Sequence, residues 1–119
     1  DPVKYCRDAV KSRYPKGTEC GICLTGDNLE FHHYHSFAAV YQKWLLLNKV
    51  VIKTVEDMVE HRDTFIEDNE QVLLHECVTL CKKHHAALHR IYGKKPCLST
   101  SAKQARWVER QRLKHQPAE

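Results

Sequence analysis

A chain of 119 residues with 42% apolar content suffices for one domain with a small core, which a bound metal would help to hold. Nineteen basic residues against fifteen acidic ones leave a net charge of +4, a mild pointer to a polyanionic partner. The longest apolar run, residues 44–52, is broken by Asn48 and Lys49 and falls short of the roughly 20 residues a bilayer span takes, so no membrane partner is expected.

Six cysteines could indicate a secreted disulfide scaffold. No signal peptide opens the sequence, however, and the cysteines sit beside histidines at ligand spacing. That combination favours bound metal and a reducing, cytoplasmic compartment. The sequence begins at Asp1-Pro2 without Met, as a fragment or a processed chain would.

Residues 3–14 carry Lys4, Arg7, Lys11 and Arg13 with Val3, Cys6 and Val10 between them, which predicts a short basic helix ended by Pro15 and Gly17. Cys6 fits a buried small side chain better than a ligand. The CGIC knuckle follows at 20–23, and Gly21 suits the tight turn that a chelating CxxC needs. After a Gly26-Asp27-Asn28 turn, Leu29 to His33 alternates, with Leu29 and Phe31 expected towards the core and His32 on the other side. CGIC and LEFHH therefore read as two strands joined by a turn.

Ser36 can cap a helix over 36–48, with Phe37, Val40, Tyr41, Trp44 and Leu45 on one stripe. Thr54 can cap a second helix, in which Val55, Met58, Val59, Arg62, Phe65 and Ile66 follow the helical period. Between 54 and 76 the acids Glu56, Asp57, Glu60, Asp63, Glu67, Asp68, Glu70 and Glu76 face only Arg62. This pair reads as a packed helical insert with a solvated acidic face, away from any polyanionic partner. Residues 71–80 are expected to return as a short extended piece. A helix near 82–90 ends at Gly93. A last helix, 102–114, should be capped by one of Ser99, Thr100 and Ser101 and pack through Ala105, Trp107, Val108 and Leu113. Its Lys103, Arg106, Arg110, Arg112 and Lys114 stand against a lone Glu109, which suits phosphate contact.

The chemistry concentrates in ECVTLCKKHHAALH, residues 76–89. Cys81 and His84 form a CxxH pair, and His85 and His89 an HxxxH pair. On a helix, residues four apart share a face, so His85 and His89 can clamp one ion. His84 lies roughly 100° around from His85 and can serve another. Cys20, Cys23, Cys81 and His84 make a soft set suited to tetrahedral zinc. Cys77 is the rival to His84 for the fourth position, which would give four thiolates; the knuckle spacing of CxxH favours His84. His32 and His33 are the natural partners of the His85/His89 pair.

The combination of CxxC, a histidine pair after a strand and LCxxHHxxxH resembles the HNH endonucleases, the ββα-metal or His-Me finger superfamily, in a small phage- or mobile-element-type form. The resemblance covers residues 20–35 and 74–89. It implies an α+β fold: a ββα-metal core (18–35 and 71–92) with a structural zinc, a helical insertion at 36–70 and flanking helices, all one nuclease domain over 1–119. It assigns His33 as general base and His32, His85 and His89 as holders of a catalytic metal. The family usually has Asn where Glu76 stands, fixing the connecting loop, and often Cys where His84 stands. The implied activity is hydrolysis of DNA, double-stranded by expectation, leaving 5′-phosphate and 3′-hydroxyl ends.

The residue types agree with this independently. A neutral imidazole can take a proton from water near neutral pH, and a cation can stabilise charge on a phosphate. Three imidazoles suit Mn²⁺, Ni²⁺ or Co²⁺ at least as well as Mg²⁺. Neighbouring strand residues point to opposite faces, so His32 and His33 would meet one site only across a twist or bulge, with His35 as the local spare. The rival classes are a non-catalytic zinc module that binds nucleic acid, which has no use for His33, and the nuclease domain of a toxin.

Overall fold

The computed structural model describes residues 1–115. The chain folds as a small α+β structure whose sheet has two strands, β1 (Leu29–His33) and β2 (Cys77–Cys81). They pair antiparallel, from Leu29 against Cys81 to His33 against Cys77. The pairing is unbroken, so the expected bulge at the histidine pair is absent. The partner of β1 is thus the distant β2 and not the CGIC stretch, which is a turn. The knuckle docks on β2 instead, with Gly21 N–H donating to the Thr79 carbonyl at 2.9 Å. Gly21 is needed there for closeness rather than for a special φ: a Cβ would meet Val78 Cγ2 at 3.1 Å. The left-handed residues of this region are Leu24 and Asn28.

Helix α1 (Pro2–Val10) is capped by Asp1 and continues into a 3-10 turn at Lys11–Arg13. Between the strands lie α2 (Phe37–Asn48) and α3 (Val55–Asp68). Ser36 caps α2, and Thr54 with Asp57 forms a capping box on α3. On α2, Phe37, Val40, Tyr41 and Trp44 are buried as expected, and Leu45 is half-buried. On α3 only the C-terminal part is: Phe65 and Ile66 are buried, while Val55 and Val59 lie in solvent. Residues 71–75 form a π-helical turn before β2, in place of a wholly extended return.

Helix α4 (Lys82–Tyr92) follows β2 directly and stops at Gly93, whose φ of 89° suits glycine. A 3-10 turn (Leu98–Thr100) leads into α5 (Ser101–Lys114), which has no side-chain cap. The hydroxyls expected to cap it are used elsewhere: Thr100 Oγ1 donates to the Cys97 carbonyl, and Ser101 Oγ bonds Tyr34 and Leu98 carbonyls. Val108 of α5 is buried, but Leu113 is exposed.

Two apolar clusters result. One joins α1, α2, α3 and the π-helical turn around Phe65, Trp44, Tyr41, Leu73 and Val10. The other lies under the sheet and α4, around Ile22, Leu80, Leu88 and Val108. No helix of the described residues is long and apolar enough to cross a membrane.

Candidate active site and metal centre

Adjacent residues of α4 point into two different polar clusters. In the first, Cys20 Sγ, Cys23 Sγ, Cys81 Sγ and one His84 ring nitrogen all lie within 4.8 Å of one another. Cys23 and Cys81 are 3.9 Å apart, Cys20 and His84 Nδ1 3.9 Å, and Cys81 and His84 Nδ1 3.2 Å. A zinc tetrahedron with Zn–S of about 2.3 Å has S···S edges of about 3.8 Å, so the donor set and its size fit that ion. Burial opposes ionisation of Cys20, but backbone donors around it outweigh burial and hold its thiol below the ordinary value. Cys77 stays outside this cluster, its thiol directed at the Leu74 carbonyl.

In the second cluster, His32 from β1 meets His85 and His89 from α4. His32 Nδ1 is 3.1 Å from His85 Nε2, which is 3.0 Å from His89 Nε2. The far nitrogen of each ring has its own acceptor. His32 Nε2 donates to Gln104 Oε1 at 2.8 Å, His85 Nδ1 to Glu30 Oε1 at 2.9 Å and His89 Nδ1 to the Gly93 carbonyl at 2.7 Å. The Gln104 amide is oriented by its NH2 group, which donates to Thr100 Oγ1 and the Tyr34 carbonyl. Its oxygen must therefore face His32.

These contacts fix the three tautomers. With each outer nitrogen carrying the proton, three lone pairs converge on one point. Such an arrangement repels itself unless a cation or a proton lies among them. Neutral imidazoles braced from behind by a carboxylate, an amide and a carbonyl are what a divalent transition ion takes as ligands. Burial, with the neighbouring histidines, drives His32 down to about 4, so this ring stays neutral near pH 7.

The buried face of β1 is the reverse of the expected one. His32 is 4% exposed, whereas Phe31 and His33 sit half-buried on the opposite face beside Tyr14. His33 is not in the three-histidine cluster. Its Nε2 donates to the Leu73 carbonyl at 3.2 Å, which leaves Nδ1 with the lone pair. Burial lowers its basicity. His35 is no spare: its Nδ1 meets Ser101 Oγ at 3.2 Å and its Nε2 meets Glu76 Oε1 at 3.1 Å. Glu76 thus uses its carboxylate on His35 and not on backbone amides.

On α5, Lys103, Arg106, Arg110 and Lys114 are exposed. Arg112 is tied to Glu109 by two hydrogen bonds.

The model of the nicking endonuclease family of phage T5 matches residues 1–118. The chain belongs to this family. It is accordingly a phage-type nuclease, an enzyme whose substrate is DNA. No solved structure matches the chain with significance. The family match spans the helical segment between the strands as well as the histidine clusters.

Sequence reasoning missed Gln104 and Glu30. Glu30 was within reach, because it lies two residues before His32 and so shares its strand face. Gln104 gave a fainter signal: it lies on the helical stripe Ser101, Gln104, Val108, which turns out to be the buried face of α5.

Proposed function

We propose that the chain nicks DNA by metal-assisted hydrolysis, with the catalytic cation held by His32, His85 and His89 and with His33 as general base. The convergent, tautomer-fixed lone pairs of those three histidines carry this reading. The succession β1, β2, α4, with one ligand on the first strand and two on the helix, supports the likeness to HNH nucleases of the ββα-metal kind. We read residues 1–119 as one such domain, acting on double-stranded DNA in the host cytoplasm. Membership of a nicking family favours an enzyme over a passive zinc module and a single-strand cut over a double one.

Zinc among Cys20, Cys23, Cys81 and His84 would tie the knuckle to the start of α4, and so hold His85 and His89 at a fixed angle to β1. The catalytic cation, when bound, supplies positive charge for the phosphate and the leaving oxygen. Glu30, Gln104 and the Gly93 carbonyl keep the three ligand nitrogens unprotonated and aimed. His33 stands next to His32 on the other face of the strand, so the scissile phosphate must cross the end of β1 to meet both. With its Nε2 proton held by the Leu73 carbonyl, His33 takes the proton of the attacking water at Nδ1. The water oxygen bonds to phosphorus as the P–O3′ bond breaks, which leaves the phosphate on the 5′ end, and the departing 3′ oxygen takes a proton from solvent to become the hydroxyl. Mn²⁺, Ni²⁺ and Co²⁺ should each support activity at least equal to Mg²⁺, because all three ligands are nitrogens. The exposed cations Lys103, Arg106, Arg110 and Lys114 of α5 serve as phosphate contacts in this reading, with Arg112 bridged to Glu109.

Nicking of supercoiled plasmid by wild type and by His33→Ala, across a panel of divalent ions after chelation, tests the proposal. The expected loss in His33→Ala is on the order of 10²–10⁴-fold with metal affinity unchanged. A loss under tenfold would make His33 structural, and activity with Mg²⁺ alone would contradict a three-imidazole site.

A further inference from the structure

The face of β1 opposite the three histidines is not closed by the core. It forms one side of a groove of about 490 Å³ between the sheet and the end of α1, lined by Arg7, Lys11, Tyr14, Lys16, Phe31 and His33. Tyr14 and Phe31 are stacked, with ring centroids 4.7 Å apart and planes 6° from parallel, and they make its apolar floor. Arg7 and Lys11 are four residues apart and so project from the same side of the helical segment. Lys16 is held beside them by the chain rather than by its own side chain: Lys16 N–H donates to the Tyr14 carbonyl at 2.8 Å, and Gly17 N–H donates to Thr79 Oγ1 on β2 at 2.8 Å.

The charges in this groove differ from the others of the N-terminal segment. Lys4 pairs with Asp8, and Arg13 pairs with Glu70. Among the described residues, no carboxylate lies within salt-bridge distance of Arg7, Lys11 or Lys16. The acid at the rim, Glu30, is turned to His85. Three uncompensated cations thus line a preformed trough that ends at His33. A polyanion that must reach His33 and the three-histidine cluster together has to pass over the end of β1, and this trough is where it would continue.

We propose that the groove is a DNA-backbone site, in which Arg7, Lys11 and Lys16 hold phosphates of the substrate strand on the His33 side of the scissile bond, with Tyr14 and Phe31 beneath the sugars. The proposal rests on the nuclease reading above and adds a second binding surface, on the N-terminal segment, to the one on α5. Its role is to bind and position; the cations touch no reacting atom.

The experiment compares the full-length chain with Lys11→Gln/Lys16→Gln, both exposed positions, and with a control pair on the helical segment, Lys43→Gln/Lys53→Gln. Duplex binding is followed by fluorescence anisotropy over a range of salt concentrations, without added catalytic cation. Each phosphate no longer neutralised should flatten the dependence of log K on log salt by about 0.9, so the groove pair should flatten it by about 1.8 and the control pair not at all. In nicking assays the groove pair should raise KM at least tenfold and change kcat less than twofold, the pattern expected when uniform binding is weakened. An unchanged salt slope together with an unchanged KM would overturn the groove and leave the nuclease reading intact. A flattened slope in a chain that leaves plasmid uncut with every divalent ion tested would uphold the groove and overturn the metal-assisted nicking proposed above.

Discussion

The half of the molecule built on α1, α2 and α3 buries Phe37, Tyr41, Trp44 and Phe65 against one another, with Phe65 wholly enclosed. Among its apolar side chains, the half that carries the Cys/His clusters encloses only Ile22, Leu80, Leu88, Val108 and the cysteines Cys20 and Cys81, and its rings Tyr34, Tyr92 and Trp107 are only partly buried against them. Large rings remove much apolar surface from water and lock at their edges. The second cluster is too small for that, and its polar ligands would be costly to bury without partners. One half is therefore stable by packing, and the other calls for ions. The division suits the reading proposed above: side chains that could hold a cation sit where a cation would also help hold the fold.

Stripping the metal from the Cys20 cluster should divide the halves most sharply. Zinc at such a site contributes on the order of 10 kcal/mol to folding. With zinc bound there as proposed, chelation or Cys81→Ser should expose the amides of β2 and α4 to rapid hydrogen exchange while α2 and α3 keep their protection. Equal protection in both halves after chelation would dissolve the distinction. The converse is Phe65→Ala, which should cost about 3–5 kcal/mol in denaturant unfolding by opening a cavity among Phe37, Tyr41 and Trp44. Zinc affinity should not change with it, and a large change would mean that the two clusters fold as one.

Within the half that carries the histidine cluster, Gln104→Leu keeps the volume of the side chain and removes the acceptor behind His32. Titration calorimetry with Mn²⁺ or Ni²⁺ should show affinity at the three-histidine site falling about 10–100-fold, with the four-ligand cluster untouched. The smallest effect belongs to the surface of the helical half. Thr54→Ala removes the capping box of α3 and should cost about 1 kcal/mol in thermal or denaturant unfolding, with nicking unaltered.

The ligand spacings were legible because they are local. CxxC, CxxH and HxxxH each need only a turn or a helix to converge, and the rotation of α4 between His84 and His85 assigns them to separate clusters before any tertiary contact is known. The caps at Ser36 and Thr54 were readable for the same reason. The pairing of β1 was not, since its partner follows two helices and a π-helical turn, and nothing in CGIC or LEFHH encodes that distance. The buried face of β1 was misjudged for a related cause. Leu29 and Phe31 are the more apolar residues, yet the α4 histidines lie over the other face, and Phe31 is left to floor an open groove.

The sequence alone determined which atoms could bind metal and that neighbouring histidines of one short helix would face two separate clusters, because both follow from residue type and helical rotation. The tertiary fold decided everything that depends on long-range approach. It set Gln104 of the last helix behind His32, gave Glu30 to His85, engaged both nitrogens of His35, and turned His33 away from its neighbour towards a basic trough. Hydrogen bonds that fix a tautomer come from whichever element the packing brings near, and only the folded chain specifies that element.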